Sequence, residues 1–201
     1  MFSKSIYKQR QNSLGRMIEG SVALFIAPKQ AVSTRDMHYP FRTDSNIRYL
    51  LGLDEDSVAV VIDSRGKKPT VTLYIEDHDP LRSRWVGKRV GHKFALENLA
   101  CNEVKHFSSL FTELGSYLVN TEYFYFSPGI NSDLDKQVYS ATSKPTAPLV
   151  SNPKGILDVR ELMAELRWVK SKEELAHIRH AVSISCEGLK LALAEISKAT
   201  S

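Results

Sequence analysis

Two uninterrupted apolar segments constrain the fold of this chain more than any other feature. Residues 22–27 and 58–62 are apolar, but each is far shorter than the ~20 residues that a membrane span needs. Short apolar runs bounded by turn residues are typical of strands covered on both faces. Residues 70–75 alternate with the period of two that marks a strand. Glycine, proline and charges in the intervening turn predict that strands 57–63 and 70–75 pair as a hairpin.

Helical patterns alternate with these strands. Apolar positions spaced by three or four over residues 4–19 predict an amphipathic helix with Arg10 on the same face as Leu14. Helices alternating with strands, one hairpin included, predict the α/β class with a mixed β-sheet flanked by helices. The other predicted elements are a helix at 92–100, a strand at 103–107, a helix at 108–118, a strand at 122–126, a helix at 131–142 and a loop at 143–155.

Composition narrows the class of protein. A chain of 201 residues fits one domain, or one domain with a piece of a second. The net charge of +4 comes from scattered lysines and arginines without a basic stripe, which argues against a nucleic-acid partner. Cys101 and Cys186 stand apart, as suits a reducing compartment. The polar N-terminus lacks the apolar stretch of a signal peptide. We therefore expect a soluble cytoplasmic protein with no membrane partner.

The C-terminal segment carries the clearest local signal. Ser171 and Glu174 have the spacing of a capping box. Apolar residues then repeat every three or four positions over 175–196, which predicts a long amphipathic helix. Its apolar face needs a partner, either in further sequence or on this domain or a second copy. The polar break before Ser171 predicts a domain over residues 1–168 and the first helix of a second domain over 169–201.

Residues 34–53 place three arginines, two aspartates, a histidine and three aromatic residues between two apolar segments. Asp44 or Thr43 can cap a short helix that Gly52 closes, so we expect a helix from about 44 to 51. The stretch has two interpretations. It is either an acid–base site around His38, or a structural crossing in which arginines pair with carboxylates. No nucleophile, glycine cradle or metal-ligand spacing accompanies it, which favours the structural interpretation.

The other chemical candidates are weaker. His177 and His180 have a spacing that can bind metal, but without a third ligand a solvated helix face is favoured. The acidic turn at 77–79 could hold a cation weakly, although turn solvation explains it as well. Trp85, between two arginines, is either a buried anchor or an exposed stacking surface. No phosphate-binding loop or nucleophile elbow occurs. The residues alone indicate an α/β domain without its own catalytic centre.

Three segments resemble the N-terminal domain of the aminopeptidase P (Xaa-Pro aminopeptidase) family, within the creatinase and prolidase superfamily. Residues 35–52, RDMHYPFRTDSNIRYLLG, are similar to the family's arginine- and tyrosine-rich signature. Residues 84–91, RWVGKRVG, resemble its W-x-G-x-R-x-G segment, and residues 166–175, LRWVKSKEEL, resemble the start of its catalytic domain. The chain departs from the signature at Ile47 and Arg48, where the family often has aromatic residues.

The resemblance implies a two-domain metallopeptidase, a hydrolase that releases an N-terminal residue preceding proline. In that family a C-terminal domain binds two divalent metal ions, commonly manganese, through five ligands. All five lie downstream of the segments matched here, so these 201 residues are expected to hold no catalytic residue and no metal, and to be inactive alone. The family's N-terminal domain contributes to oligomer contacts, which implies a homodimer or homotetramer.

The resemblance also assigns roles to single residues. Trp85 is implied at the substrate cleft of a neighbouring subunit, with Arg89 as a further substrate contact. Arg35, Asp36, Arg42 and Asp44 are expected to form ion-paired struts. Two alternatives stay open: a catalytically inactive peptide- or protein-binding module, and the N-terminal domain of a prolidase or creatinase relative. The expected structural signature comprises Arg35, Asp36, Tyr39, Phe41, Arg42, Asp44, Ser45, Tyr49 and Gly52.

Overall fold

A computed structural model of the chain describes residues 2–28, 30–35, 37–77, 83, 87, 89–142 and 150–196. The chain divides into two compact units, Met1–Leu166 and Arg167–Ser201. The first unit is built on a β-sheet with helices on both faces. The second contains one long helix and the residues that precede it.

The strands of the first unit form a six-stranded sheet and a separate hairpin. They are β1 (Val22–Ile26), β2 (Val32–Thr34), β3 (Met37–His38), β4 (Ala59–Asp63), β5 (Thr70–Ile75), β6 (Glu103–His106), β7 (Tyr123–Phe126) and β8 (Gly155–Asp158). The sheet has the order β6-β5-β4-β1-β7-β8, and β2 pairs with β3. β4 is antiparallel to both β1 and β5, and the other neighbouring pairs in the sheet are parallel. Five strands therefore run in one direction and β4 runs against them.

Helices cover both faces of this sheet. They are α1 (Lys4–Met17), α2 (Ser45–Leu51), α3 (His92–Asn98), α4 (Ser109–Leu118), α5 (Ser132–Thr142) and α6 (Val159–Trp168). The long helix of the second unit is α7 (Lys172–Ile196). α1, α2, α3 and α6 contribute to one buried apolar cluster, and α4 and α5 contribute to the other. The first unit is thus a three-layer α/β/α arrangement.

Strand β1 shows why the chain folds this way. All five of its residues are buried. Val22 and Leu24 pack into the cluster beneath α4 and α5, whereas Ala23 and Phe25 pack into the cluster beneath α1 and α2. Side chains alternate between the two faces of a strand, so a strand covered on both faces must be apolar at every position. Each large side chain buried here contributes about 1.5–3 kcal/mol.

The mixed sheet flanked by helices is confirmed, as are most of the predicted elements. The predicted helix at 4–19 is α1, and the predicted strands at 22–27, 57–63 and 70–75 are β1, β4 and β5. β4 and β5 pair as the predicted antiparallel hairpin, with Ala59 opposite Tyr74. The predictions over residues 92–142 correspond to α3, β6, α4, β7 and α5, with ends that differ by a few residues.

Three elements were absent from the sequence predictions. The β2–β3 hairpin is short and exposed, and it turns at Arg35, whose φ of 44° lies in the left-handed region. β8 is a four-residue edge strand that is only half-buried. Its sequence therefore lacks the long apolar run that would predict a strand. α6 follows it directly. The predicted loop at 143–155 was wrong at its end, because Gly155 begins β8, and residues 143–149 lie outside the described part.

The second unit confirms the predicted capping box. The backbone N–H of Ser171 donates to Glu174 Oε2 at 2.8 Å, and the N–H of Glu174 donates to Ser171 Oγ at 3.3 Å. α7 follows over 25 residues. Its apolar side chains, Val182 and Leu189 among them, are exposed. Among the described helices, none is long and apolar enough to cross a membrane.

Candidate functional site

One edge of the sheet gathers the segments that the sequence singles out. The carboxyl ends of the five parallel strands lie at this edge. Residues 34–53 follow β1 in the chain, residues 84–91 follow β5, and the loop at 52–58 enters β4 from the same edge. Ligands of open α/β sheets bind outside the carboxyl ends of the strands. This edge is therefore the candidate functional surface.

Helix α2 of the signature stretch is fixed at both ends. Asp44 Oδ1 accepts hydrogen bonds from the backbone N–H groups of Asn46 at 2.8 Å and Ile47 at 3.3 Å. Gly52 closes the helix with φ 71°, and a Cβ at this position would lie 2.2 Å from Tyr7 Oη. Both predicted caps are confirmed, and Gly52 is required by the backbone conformation and by the close approach of Tyr7.

Helix α1 holds the carboxyl end of α2. Arg10 is 6% exposed, and its Nη1 donates to the carbonyl oxygen of Tyr49 at 2.8 Å. Its Cζ lies 4.0 Å from the centroid of the Tyr49 ring, a cation–π distance. Gln11 Nε2 donates to the carbonyl oxygens of Leu50 at 3.0 Å and Ala100 at 2.6 Å. A cation at a helix carboxyl end is favourable, so Arg10 and Gln11 stabilise the position of the signature helix.

Arg89 connects the W-x-G-x-R segment to the loop between α2 and β4. Its side chain is 12% exposed, and its Nη1 donates to the carbonyl oxygen of Asp56 at 3.0 Å. Its Nη2 also contacts the Asp56 carboxylate. The N–H of Val90 donates to Glu55 Oε1 at 2.7 Å. The two motifs, distant in sequence, are therefore joined through one partly buried ion cluster of Arg89, Glu55 and Asp56.

Glu55 is the electrostatically unusual member of this cluster. Burial raises the pKa of its carboxyl above the ordinary value, although the Val90 amide and Arg89 favour the charged form. Its Oε2 is buried and makes no hydrogen bond with the described residues, and it lies 4.0 Å from Arg89 Nη1. Burial of a carboxylate oxygen without a hydrogen-bond donor among the described residues therefore disfavours the charged form of Glu55.

The predicted ion-paired struts were wrong in the described part of the signature. Arg35 and Arg42 are exposed, and neither forms a salt bridge with a described residue. Asp44 instead uses its carboxylate to cap α2. The aspartate that binds this region is Asp54, which accepts from the Thr43 N–H at 2.9 Å and lies 3.3 Å from Arg48 Nη1. The Asp44 carboxylate, which was predicted to pair with an arginine, instead accepts hydrogen bonds from backbone amides.

The remaining signature residues have varied surroundings. Tyr39 is exposed, and its N–H donates to the carbonyl oxygen of Ala31 at 3.0 Å. Phe41 is partly buried against the apolar cluster beneath α1 and α2, and Ser45 is the first residue of α2. Tyr49 Oη donates to the carbonyl oxygen of Leu166 at 3.4 Å. Asp36 and Trp85 lie outside the described residues, and their predicted roles stay predictions.

The described residues do not form a catalytic metal centre. No group of three or more His, Cys, Asp or Glu side chains in this part of the chain is placed to hold a metal ion. His38 is exposed on β3. The resemblance places the two-metal centre in a second domain, downstream of these residues.

A cavity of about 420 Å³ lies beside the carboxyl ends of β6 and β7. Phe107 follows β6 directly, and its ring lies edge-on to Phe111, with centroids 6.0 Å apart. Asn131 closes the other side, where its Oδ1 accepts from the N–H groups of Asp133 and Leu134 at the start of α5. Sequence reasoning missed this cavity, because its walls come from two helices whose packing is a long-range property.

Comparison with known proteins identifies the fold and the signature together. The family model for the aminopeptidase P N-terminal domain matches residues 7–125, a range that includes the signature stretch, the Arg89 cluster and the strands between them. This chain belongs to the aminopeptidase P N-terminal domain family. The sequence-based recognition of that family is confirmed.

Curated relatives of this aminopeptidase P domain agree with the family match. The Xaa-Pro aminopeptidase of Escherichia coli is 29% identical over 187 residues, covering 89% of this chain and 41% of the relative. The Xaa-Pro aminopeptidase of Haemophilus influenzae is 27% identical over 181 residues, covering 90% of this chain and 40% of the relative. The chain therefore spans about two fifths of the length of these relatives.

Solved structures show the same fold. The low-pH form of aminopeptidase P from Escherichia coli matches with a TM-score of 0.81 and 27% identity, covering 90% of this chain and 42% of that one. Proline aminopeptidase P II from Yersinia pestis matches with a TM-score of 0.80 and 27% identity, covering 92% of this chain and 43% of that one. The α/β/α arrangement is thus that of the aminopeptidase P N-terminal domain.

Proposed function

We propose that the protein carrying this chain is a metal-dependent Xaa-Pro aminopeptidase, and that the chain supplies its non-catalytic N-terminal domain. The family match over residues 7–125 carries this proposal. The curated relatives support it, because the chain aligns with about 40% of their length. The substrates would be peptides with proline at the second position, and water would cleave the bond before the proline.

The catalytic chemistry would reside in a second domain with two divalent metal ions, manganese by analogy with the family. Such ions activate a water molecule and stabilise the developing negative charge. We place the start of that domain near the boundary between the units Met1–Leu166 and Arg167–Ser201. α7 would then be its first helix, and the exposed apolar residues of α7 would pack within that domain.

The role of the N-terminal domain would be to assemble the enzyme and to narrow access to its cleft. Trp85 would reach the cleft of a neighbouring subunit in a homodimer or homotetramer. Arg89, buried against Asp56, would hold the segment that carries Trp85. We propose this positioning role for Arg89 beside the substrate contact that the resemblance implies. We place the enzyme in the cytoplasm, since Cys101 and Cys186 are free thiols.

Expression of the complete gene product tests this function. The protein is incubated with peptides that differ only in proline or alanine at position two, after EDTA treatment and after Mn²⁺ addition. We expect release of the first residue from the proline peptide alone, lost with EDTA and restored by Mn²⁺. Absence of release, together with stoichiometric binding of peptide, would replace the peptidase by a binding module.

A pair of tryptophan variants tests the role of Trp85 in the same protein. We expect Trp85→Ala to lower kcat/KM without changing the melting temperature. Trp168, 79% exposed at the end of α6, provides the matched control. Trp168→Ala should leave kcat/KM unchanged. A large loss of melting temperature in Trp85→Ala with unchanged kinetics would make Trp85 a core anchor instead.

A further inference from the structure

Two histidines and an aspartate meet at the carboxyl edge of β5 and β6. Asp77 lies two residues after β5, His106 is the last residue of β6, and His92 is the first residue of α3. The parallel pairing of β5 and β6 sets Ile75 opposite His106, which brings the two chain segments to the same end of the sheet. The centroids of the two imidazole rings are 6.2 Å apart, with the ring planes at 38°.

Both imidazoles already use their Nδ1 atoms, which leaves the Nε2 atom of each ring for further contacts. His92 Nδ1 lies 3.2 Å from Asp77 Oδ1, and His106 Nδ1 lies 2.8 Å from Ser108 Oγ. Both Nδ1 atoms are therefore engaged, and the Nε2 atoms remain as the available ligand atoms. A histidine that binds metal through one nitrogen commonly has its other nitrogen held by a carboxylate or hydroxyl in this way.

His92 Nε2 has an unmet hydrogen-bonding need. The atom is buried and has no hydrogen-bond partner among the described residues. A buried polar atom left without a partner costs about 1–3 kcal/mol, and such an atom in a native structure points to a water molecule or an ion. An ion bound by both His92 Nε2 and His106 Nε2 would give the buried His92 atom a partner. The Nδ1 contacts that both rings already make would hold the rings in place.

We propose that His92 and His106 bind one divalent transition-metal ion, Zn²⁺ or Ni²⁺, through their Nε2 atoms, with water in the other coordination positions. Imidazole nitrogen is a preferred ligand of these ions. Metal–nitrogen bonds of about 2.1 Å and a tetrahedral angle place two ring centroids about 5.3 Å apart, so the rings, 6.2 Å apart here, would move roughly 1 Å closer on binding. Asp77 is a positioning residue that holds the His92 ring.

The site goes beyond the proposed peptidase function, because it needs none of the catalytic ligands. Two imidazoles make a weaker site than a structural zinc centre with four protein ligands. The ion would link the start of α3 to the end of β6. Since Arg89 lies three residues before His92, metal binding would also restrain the segment that Arg89 anchors.

Zn²⁺ titration of the untagged 201-residue chain tests the proposal, with affinity measured by competition with a chromophoric zinc indicator at pH 7.5. We expect one bound ion per chain. His106→Ala should weaken binding at least ~10-fold, and because His106 is exposed its replacement should leave the fold intact. Asp77→Asn should weaken it by roughly 10-fold, as outer-shell changes do. Imidazole nitrogen NMR should shift the Nε2 signals of His92 and His106.

The control is the double variant His177→Ala/His180→Ala, which removes the other closely spaced histidine pair. Both residues are exposed on α7. This variant should bind Zn²⁺ with unchanged affinity. The proposal is overturned if the unaltered chain binds no Zn²⁺, if His106→Ala binds as tightly as the unaltered chain, or if binding disappears only in the double variant.

Discussion

The guanidinium of Arg89 contacts the carboxylate of Asp56, 33 residues earlier in the chain, and joins the two most distinctive motifs of this domain. Asp56 follows the signature helix α2, whereas Arg89 belongs to the W-x-G-x-R segment. The side chains are 12% and 23% exposed. This contact places both motifs in one structural unit at the carboxyl edge of the sheet.

Loss of the Arg89 cation should destabilise the domain strongly. Arg89→Ala leaves Asp56 and Glu55 without their partner. Breaking a fully buried pair costs about 3–5 kcal/mol, and the partial exposure of Asp56 places the expected loss near the lower end of that range. Arg89→Lys should recover only part of this loss, because one ammonium does not reproduce the forked contacts of guanidinium. Urea unfolding of the 201-residue chain measures both.

The matched control for Arg89 is Arg160, which forms an exposed pair with Asp158. Arg160→Ala should change the unfolding free energy little, since exposed ion pairs contribute little to stability. Equal losses in Arg89→Ala and Arg160→Ala would contradict the structural role of the buried cluster.

Gly52 should not tolerate a side chain. Gly52→Ala places a Cβ at a φ of 71° and 2.2 Å from Tyr7 Oη. The left-handed backbone alone costs about 1–2 kcal/mol, and overpacking adds about 1–3 kcal/mol. Gly129→Ala is the control, since its φ is 88° and no atom lies within 4 Å of the added Cβ. Thermal unfolding should show a clearly larger loss for Gly52→Ala.

Substitutions at Asp44 and Arg42 distinguish helix capping by Asp44 from an ion pair between Asp44 and an arginine. Asp44→Ala should lose about 1 kcal/mol, because Asn46 and Ile47 lose their acceptor. Asp44→Asn should retain most of the stability, since asparagine caps helices as well. Arg42→Ala should change stability by less than about 0.5 kcal/mol, as at other surface positions. A loss in Arg42→Ala as large as that in Asp44→Ala would restore the strut interpretation.

Glu55 should give the unfolding free energy a measurable pH dependence. Burial raises the pKa of Glu55 in the folded state. A raised carboxyl pKa stabilises the folded state fully below the unfolded pKa of about 4.3, and this contribution is lost as pH rises through the folded pKa. Glu55→Gln removes the titration, so its stability relative to the unaltered chain should increase between pH 4 and pH 7. A difference that stays constant with pH would contradict the burial of this charge.

Local signals explain which parts of the fold could be predicted from sequence. The buried strand β1, the β4–β5 hairpin and the Asp44 and Gly52 caps depend on residues close in the chain. The capping box of Ser171 and Glu174 has the same local character.

The remaining features depend on contacts that only the complete fold creates. Arg10 reaches Tyr49 across 39 residues, so its periodic position in α1 predicted burial but not its partner. The Arg89 cluster, the Phe107 cavity and the meeting of His92 with His106 likewise require the order of the strands. The strut predicted for Asp44 was wrong because its carboxylate accepts from the backbone amides of Asn46 and Ile47, whereas the prediction for Asp36 lies outside the described residues.

We propose that this chain serves a peptidase without containing its catalytic centre. The most direct measurement compares the 201-residue chain with the complete gene product at equal concentration, with Mn²⁺ and a peptide whose second residue is proline. We predict release of the first residue by the complete protein and no release above the uncatalysed rate by the 201-residue chain. Release by the 201-residue chain at the rate of the complete protein would contradict the proposal that the catalytic centre lies outside this chain.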